Sequence, residues 1–172
     1  MPAQSASREQ IEVYRFPVAA AVGVPLAALL LQRFLPLHVP AAAIFDLPLL
    51  VTIYFGVARR NQISGLLTGG VIGLVQDSLT HQPLGLYGIA KTVVGYAASS
   101  LGVKLDVDNP GSRLLMLFGF YLLHQIMYLA VARGLAGEML TWRWGHEAIA
   151  ALANALLGLV LYTALDRLRQ RT

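Results

Sequence analysis

Cysteine is absent from this 172-residue chain. There is therefore no disulfide, no thiolate metal ligand and no thiol nucleophile. Charge is scarce too: Asp, Glu, Lys and Arg make up 13% of the residues, against roughly a quarter in soluble domains. A phosphate-cradling glycine loop, a nucleophile elbow and a cofactor signature are all missing. Asp46 and Asp77 could in principle share a proton as paired carboxylates do, but LVQDSL around Asp77 lacks the flanking glycines of intramembrane aspartyl proteases. No catalytic residue, metal or cofactor is expected, and an enzyme is not. The N-terminal MPAQSASREQIEVYRF sets Glu9 and Glu12 beside Arg8 and Arg15. It has no short basic region of a cleaved signal, so the first apolar run is expected to be a retained helix.

What is abundant is apolar: 56% of the chain, with six hydrophobic stretches. They run near 16–37, 43–58, 63–79, 84–103, 114–132 and 147–165, each close to the ~20 residues that cross a bilayer core, although the second and third are short. Turn chemistry separates them: LPLHVP around His38, RRNQ at 59–62, THQPLG at 80–85 and LDVDNPGSR at 105–113. The expected fold is all-α, a single integral membrane bundle of six transmembrane helices over residues 1–172. Each crossing must satisfy its own backbone hydrogen bonds. The net charge of +4 is distributed by topology rather than along a nucleic-acid-binding face. Arg8, Arg15, Arg59, Arg60, Lys104, Arg113, Arg167, Arg169 and Arg171 flank one side; Arg33, Arg133 and Arg143 flank the other. The positive-inside rule then puts both termini in the cytoplasm and Trp142 and Trp144 at the outer interface.

Two stretches carry the polar and small residues. Gly65, Gly69 and Gly73 recur every fourth position along one face of the third helix, and Asp77 continues that face. Gly88, Lys91 and Gly95 share a face of the fourth. Small residues let helices approach closely in lipid, so these five glycines form a helix-packing stripe, and the first helix has a similar spacing at Ala19, Gly23 and Ala27. An ionisable residue at membrane depth is costly and marks a candidate site. Asp46, Asp77 and Lys91 form such a candidate polar cluster or partner contact in the outer half of the bundle. Asp77 is an evident partner for Lys91, with Asp46 as the other choice. Asp46, before Pro48, also reads as a helix N-cap. His38 and His81 lie in nearby outer loops; Tyr121, His124 and Tyr128 share a face of the fifth helix, and Asn154 sits midway along the sixth.

Asp46-Leu47-Pro48, the glycine-spaced third helix ending in Gln76-Asp77, the turn Pro83-Leu84-Gly85 and Gly95-Tyr96 together resemble the pattern of MreD, the bacterial rod-shape-determining membrane protein family. Many members have Glu-Asp where this chain has Gln76-Asp77. The resemblance implies a non-enzymatic inner-membrane scaffold of the cell-elongation machinery. It also implies partners: MreC, the MreB filament indirectly, and RodA with a class B penicillin-binding protein. It further implies a bundle similar to the substrate-binding subunits of energy-coupling-factor vitamin transporters. A small-molecule-binding transporter subunit is the alternative, with Asp77, Lys91, Tyr87, His81 and Tyr121 as its candidate lining.

Overall fold

In the computed structural model the described residues are 16–102, 109–137 and 141–168. Arg8, Arg15, Lys104, Arg169 and Arg171 of the charge count lie outside them, as do residues 105–108 of the 105–113 loop. Of the described residues 86% are helical, and none of them is in a strand. Among the described residues six α-helices follow one another: α1 Val18–His38, α2 Leu47–Arg59, α3 Gln62–Thr80, α4 Leu86–Leu101, α5 Pro110–Gly134 and α6 Trp144–Leu165. Short 3-10 stretches, Pro40–Ile44 and Asp166–Leu168, precede α2 and end α6.

Three of these helices, α1, α5 and α6 with its 3-10 extension, are long and apolar enough to cross a membrane. The others fall short for separate reasons. α2 has 13 residues, about 20 Å at ~1.5 Å per residue, against a hydrocarbon core of ~30 Å. α3 is diluted by Gln62, Ser64, Thr68, Gln76 and Asp77, and α4 is 16 residues long and contains Lys91.

Burial follows helix character. α2 is apolar all round and is the central element, with every residue from Pro48 to Ala58 buried. α1 is the reverse: only Pro25, Ala28 and Leu29 are buried, while Val18, Leu26, Leu30, Phe34 and Leu37 face outward. So much exposed aliphatic surface is foreign to a water-soluble monomer and natural to a lipid-facing one.

Successive helices run antiparallel. Arg60, at φ 51, ends α2 in the left-handed region, and Asn61 at once caps α3 by accepting from Ser64 N at 2.9 Å. Phe16 stacks edge-on against Tyr54 and Phe55. Gln62 donates to Ser100 at 3.0 Å, and Arg113 pairs with Asp166 at 2.8 Å. These contacts gather Arg59, Arg60, Arg113 and Arg167 at one end of the bundle.

The tightest pairing is α3 on α4, and glycine sets it. A Cβ on Gly65 would overlap Ser99 and the Gly95 carbonyl, one on Gly69 the Lys91 carbonyl, one on Gly73 the Tyr87 carbonyl, and one on Gly95 the Gly65 carbonyl. At Gly88 it would lie 2.9 Å from Leu74 Cδ2. The structure thus places all five stripe glycines inside the chain, backbone against backbone. The spacing on α1 lies elsewhere: Ala19, Gly23 and Ala27 are exposed, and a Cβ on Gly23 would meet nothing within 4 Å.

Candidate functional site

The start of α2 exposes backbone groups that a helix cannot satisfy by itself, and the chain answers with side chains from three directions. Asp46 is the N-cap, its Oδ1 accepting from Leu49 N at 2.9 Å. Gln32 of α1 clamps the neighbouring backbone, donating to the Phe45 carbonyl and accepting from Leu47 N, both at 2.9 Å. Asn154 of α6 accepts from Asp46 N at 2.8 Å and donates to the Ile44 carbonyl at 2.8 Å and the Ala150 carbonyl at 2.9 Å.

The second oxygen of the cap faces α4. Lys91 Nζ lies 2.7 Å from Asp46 Oδ2 and is wholly buried, while the Asp46 side chain is 14% exposed. The same ammonium approaches His124 Nε2 of α5 at 3.2 Å and sits 4.9 Å from the centre of the Tyr87 ring. Tyr87 stacks on His124 and, at 4.8 Å, on Tyr128. With Nε2 turned to a donor, neutral His124 carries its hydrogen on Nδ1, a buried atom without a hydrogen-bond partner. A cation, an anion and an imidazole from α4, the α2 cap and α5 thus meet at one point, and Asn154 ties in α6.

Asp77 does something else. Gly85, at φ 105, is the N-cap of α4 and has no side chain to offer. Asp77 caps the helix from across the turn: Oδ2 accepts from Gly85 N at 2.8 Å and Gly88 N at 3.1 Å, and Oδ1 from Tyr87 N at 2.9 Å. A carboxylate on the free N–H groups of a helix start is favoured by hydrogen bonding and by the helix dipole. Of the two acidic partners open to Lys91, Asp46 takes it, because both Asp77 oxygens are engaged with the first turn of α4.

The structure therefore brings Asp46 and Lys91 into contact and sets Asp77 one helical turn away with a separate task. The loop histidines stay apart: His38 is exposed with only its own Phe34 carbonyl at 3.2 Å, and His81 is the exposed, left-handed C-cap of α3. Tyr121 accepts from Gln125 at 3.0 Å, and Gln125 also donates to Glu147 of α6 at 3.1 Å. No trio of residues able to hold a metal occurs among the described residues. Sequence reading missed Gln32, whose only signal was an uncharged polar residue beside Arg33 in a mostly apolar helix. It also missed the lock in which Arg113 of α5 and Tyr54 of α2 both bind Asp166.

Fold and site together define a class: a helical membrane protein whose buried polar side chains tie its own helices together. A family model described as "rod shape-determining protein MreD" matches residues 15–171. The chain belongs to the MreD family, nearly end to end, and its role lies in rod-shape determination. No curated protein and no solved structure matches it.

Proposed function

We propose that this chain is a non-enzymatic scaffold of the cell-elongation machinery. In this reading all six helices cross the bacterial inner membrane as one domain over residues 1–172. Both termini lie in the cytoplasm, and the bundle is similar to that of energy-coupling-factor binding subunits. The distribution of Arg59, Arg60, Arg113 and Arg167 against Arg33, Arg133 and Arg143 supports the orientation. MreC is the direct partner; MreB, RodA and a class B penicillin-binding protein belong to the same assembly, which supports peptidoglycan synthesis.

One observation carries this reading. Asp46, Asp77, Lys91, His124 and Asn154 are all turned onto neighbouring helices or helix ends. A transporter subunit would hold such groups around a polar pocket open to a ligand. Here Lys91 and Asp77, the first two candidates for that lining, already have internal partners. The polar cluster serves as a clamp that gives the bundle one arrangement, and MreC docks on the outward apolar faces. Deleting the chain in its own host tests this: rods are expected to become spheres and regain their shape on re-expression. Unchanged rods would remove the assignment, and a thermal shift with a vitamin-like small molecule would favour transport.

A further inference from the structure

The outward apolar surface is short on the α3–α4 side of the bundle. On α3 the exposed apolar residues run from Ile63 to Val75, through Leu66, Leu67, Val71 and Leu74. That is about 18 Å at ~1.5 Å per residue, against ~30 Å for the hydrocarbon core. Exposed polar residues close the band at both ends: Asn61 and Gln62 at one, Ser78 and His81 at the other. α4 repeats the limit beside it. Ser100 accepts from Gln62 at 3.0 Å, and one turn inward Tyr96 is exposed, an amphipathic ring suited to the membrane–water interface. The whole of α4 has 16 residues, about 24 Å, and tilting only shortens the reach of a helix. α1 differs: its exposed apolar residues run from Val18 to Leu37, interrupted at Arg33, about 28 Å.

We propose, resting on the six-crossing reading above, that the α3–α4 face holds the bilayer locally thin and gathers phospholipids with short acyl chains. A helix whose apolar stretch is shorter than the hydrocarbon core has three remedies: thinning the bilayer, reaching out with long flanking side chains, or oligomerising. The second is turned back at the α2–α3 corner. Arg59 folds inward, its guanidinium 5.3 Å from the centre of the Phe55 ring and 3.2 Å from the Ser64 hydroxyl to which it donates. A second copy against α3 would cover Leu67 and Val71, but in a bilayer of full thickness it would leave Gln62, Ser78 and His81 at hydrocarbon depth. Thinning brings both polar edges to water at once. α2, buried at the centre, has the same reach of about 20 Å between the Asp46 cap and Arg60.

The full-length protein, without MreC, is reconstituted into phosphatidylcholine vesicles with monounsaturated chains of fourteen, eighteen or twenty-two carbons, and thermal unfolding is followed. The midpoint is expected to be highest at fourteen carbons and to fall by several degrees as the chains lengthen. Gln62→Leu with Ser78→Leu extends the α3 band to about 24 Å and should move the highest midpoint to eighteen carbons. Val22→Leu on α1 should leave the order as in the parent. Single cysteines replacing Gln62 and Gln82 should react with an impermeant maleimide from opposite sides of the membrane. With that labelling, a parent midpoint highest at eighteen or twenty-two carbons, or equal in all three, would overturn the thinning alone. Labelling of both from one side would overturn the crossing of α3 and the thinning with it. Disulfide dimers through Val71→Cys that grow with chain length, at a constant midpoint, would make a second copy the cover of this face.

Discussion

Lys91 is the residue on which the account turns. It is fully buried against Asp46, which is also the α2 cap. Two charges removed from water recover much of their desolvation cost only when both are present, so breaking such a pair from one side costs about 3–5 kcal/mol. Lys91→Met is therefore expected to leave a strongly destabilised protein, read as a lowered midpoint in detergent unfolding. Adding Asp46→Asn, which preserves a capping oxygen, should restore much of the loss. A double mutant as weak as the sum of the singles would count against the pair as a unit. Asp77→Ala acts by another route, orphaning three N–H groups at the start of α4. Caps are worth ~0.5–2 kcal/mol and unpaired buried donors ~1–3 kcal/mol. A loss of roughly 2–3 kcal/mol is expected, and Asp77→Asn should recover part of it. Asp46 already read as a cap, but which aspartate takes Lys91 was hidden in the sequence, where both are single acids near a helix end. Lys91 lies fourteen positions from Asp77 and forty-five from Asp46; only the packing of α4 over the α2 cap brings the more distant one closer.

At the level of helices, α3 and α4 pack backbone to backbone. Gly69→Leu places a side chain where the Lys91 carbonyl already lies, so the helices must separate and the bundle is expected to unfold or aggregate on extraction. Gly23→Ala and Gly119→Ala meet open space. Removing glycine from a helix interior should raise stability by up to about 1 kcal/mol. If Gly69→Leu and Gly119→Ala behaved alike in size-exclusion profile and melting, the interface would be misplaced. The glycine spacing marked a packing face in the sequence but not its partner: the similar spacing of Ala19, Gly23 and Ala27 on α1 is exposed. The second run already read as short, but an apolar stretch through Ala43–Ala58 does not reveal that its first residues form a 3-10 turn and that the helix starts only after Asp46. Gln32 and Asn154, which make that break possible, are isolated amides 122 positions apart, and no local pattern joins them.

For the molecule as a whole, the composition already implied a membrane bundle, and the MreD pattern around 46–96 pointed to the family whose model covers residues 15–171. The absence of cysteine makes orientation testable without a background. Single cysteines at Arg60 or Arg167 are expected to react with a membrane-impermeant maleimide only after the cytoplasmic side is opened, and those at His38 or Arg143 in intact spheroplasts. The reverse pattern would invert the proposed topology.

The most direct test of a scaffold with an internal clamp is co-purification with co-expressed MreC from membranes in mild detergent. The parent and the folded Asp46→Asn/Lys91→Met double mutant are both expected to retain MreC, since the clamp shapes the bundle without touching the partner. Absence of MreC with the parent, or its loss in a double mutant that melts like the parent, would contradict the account.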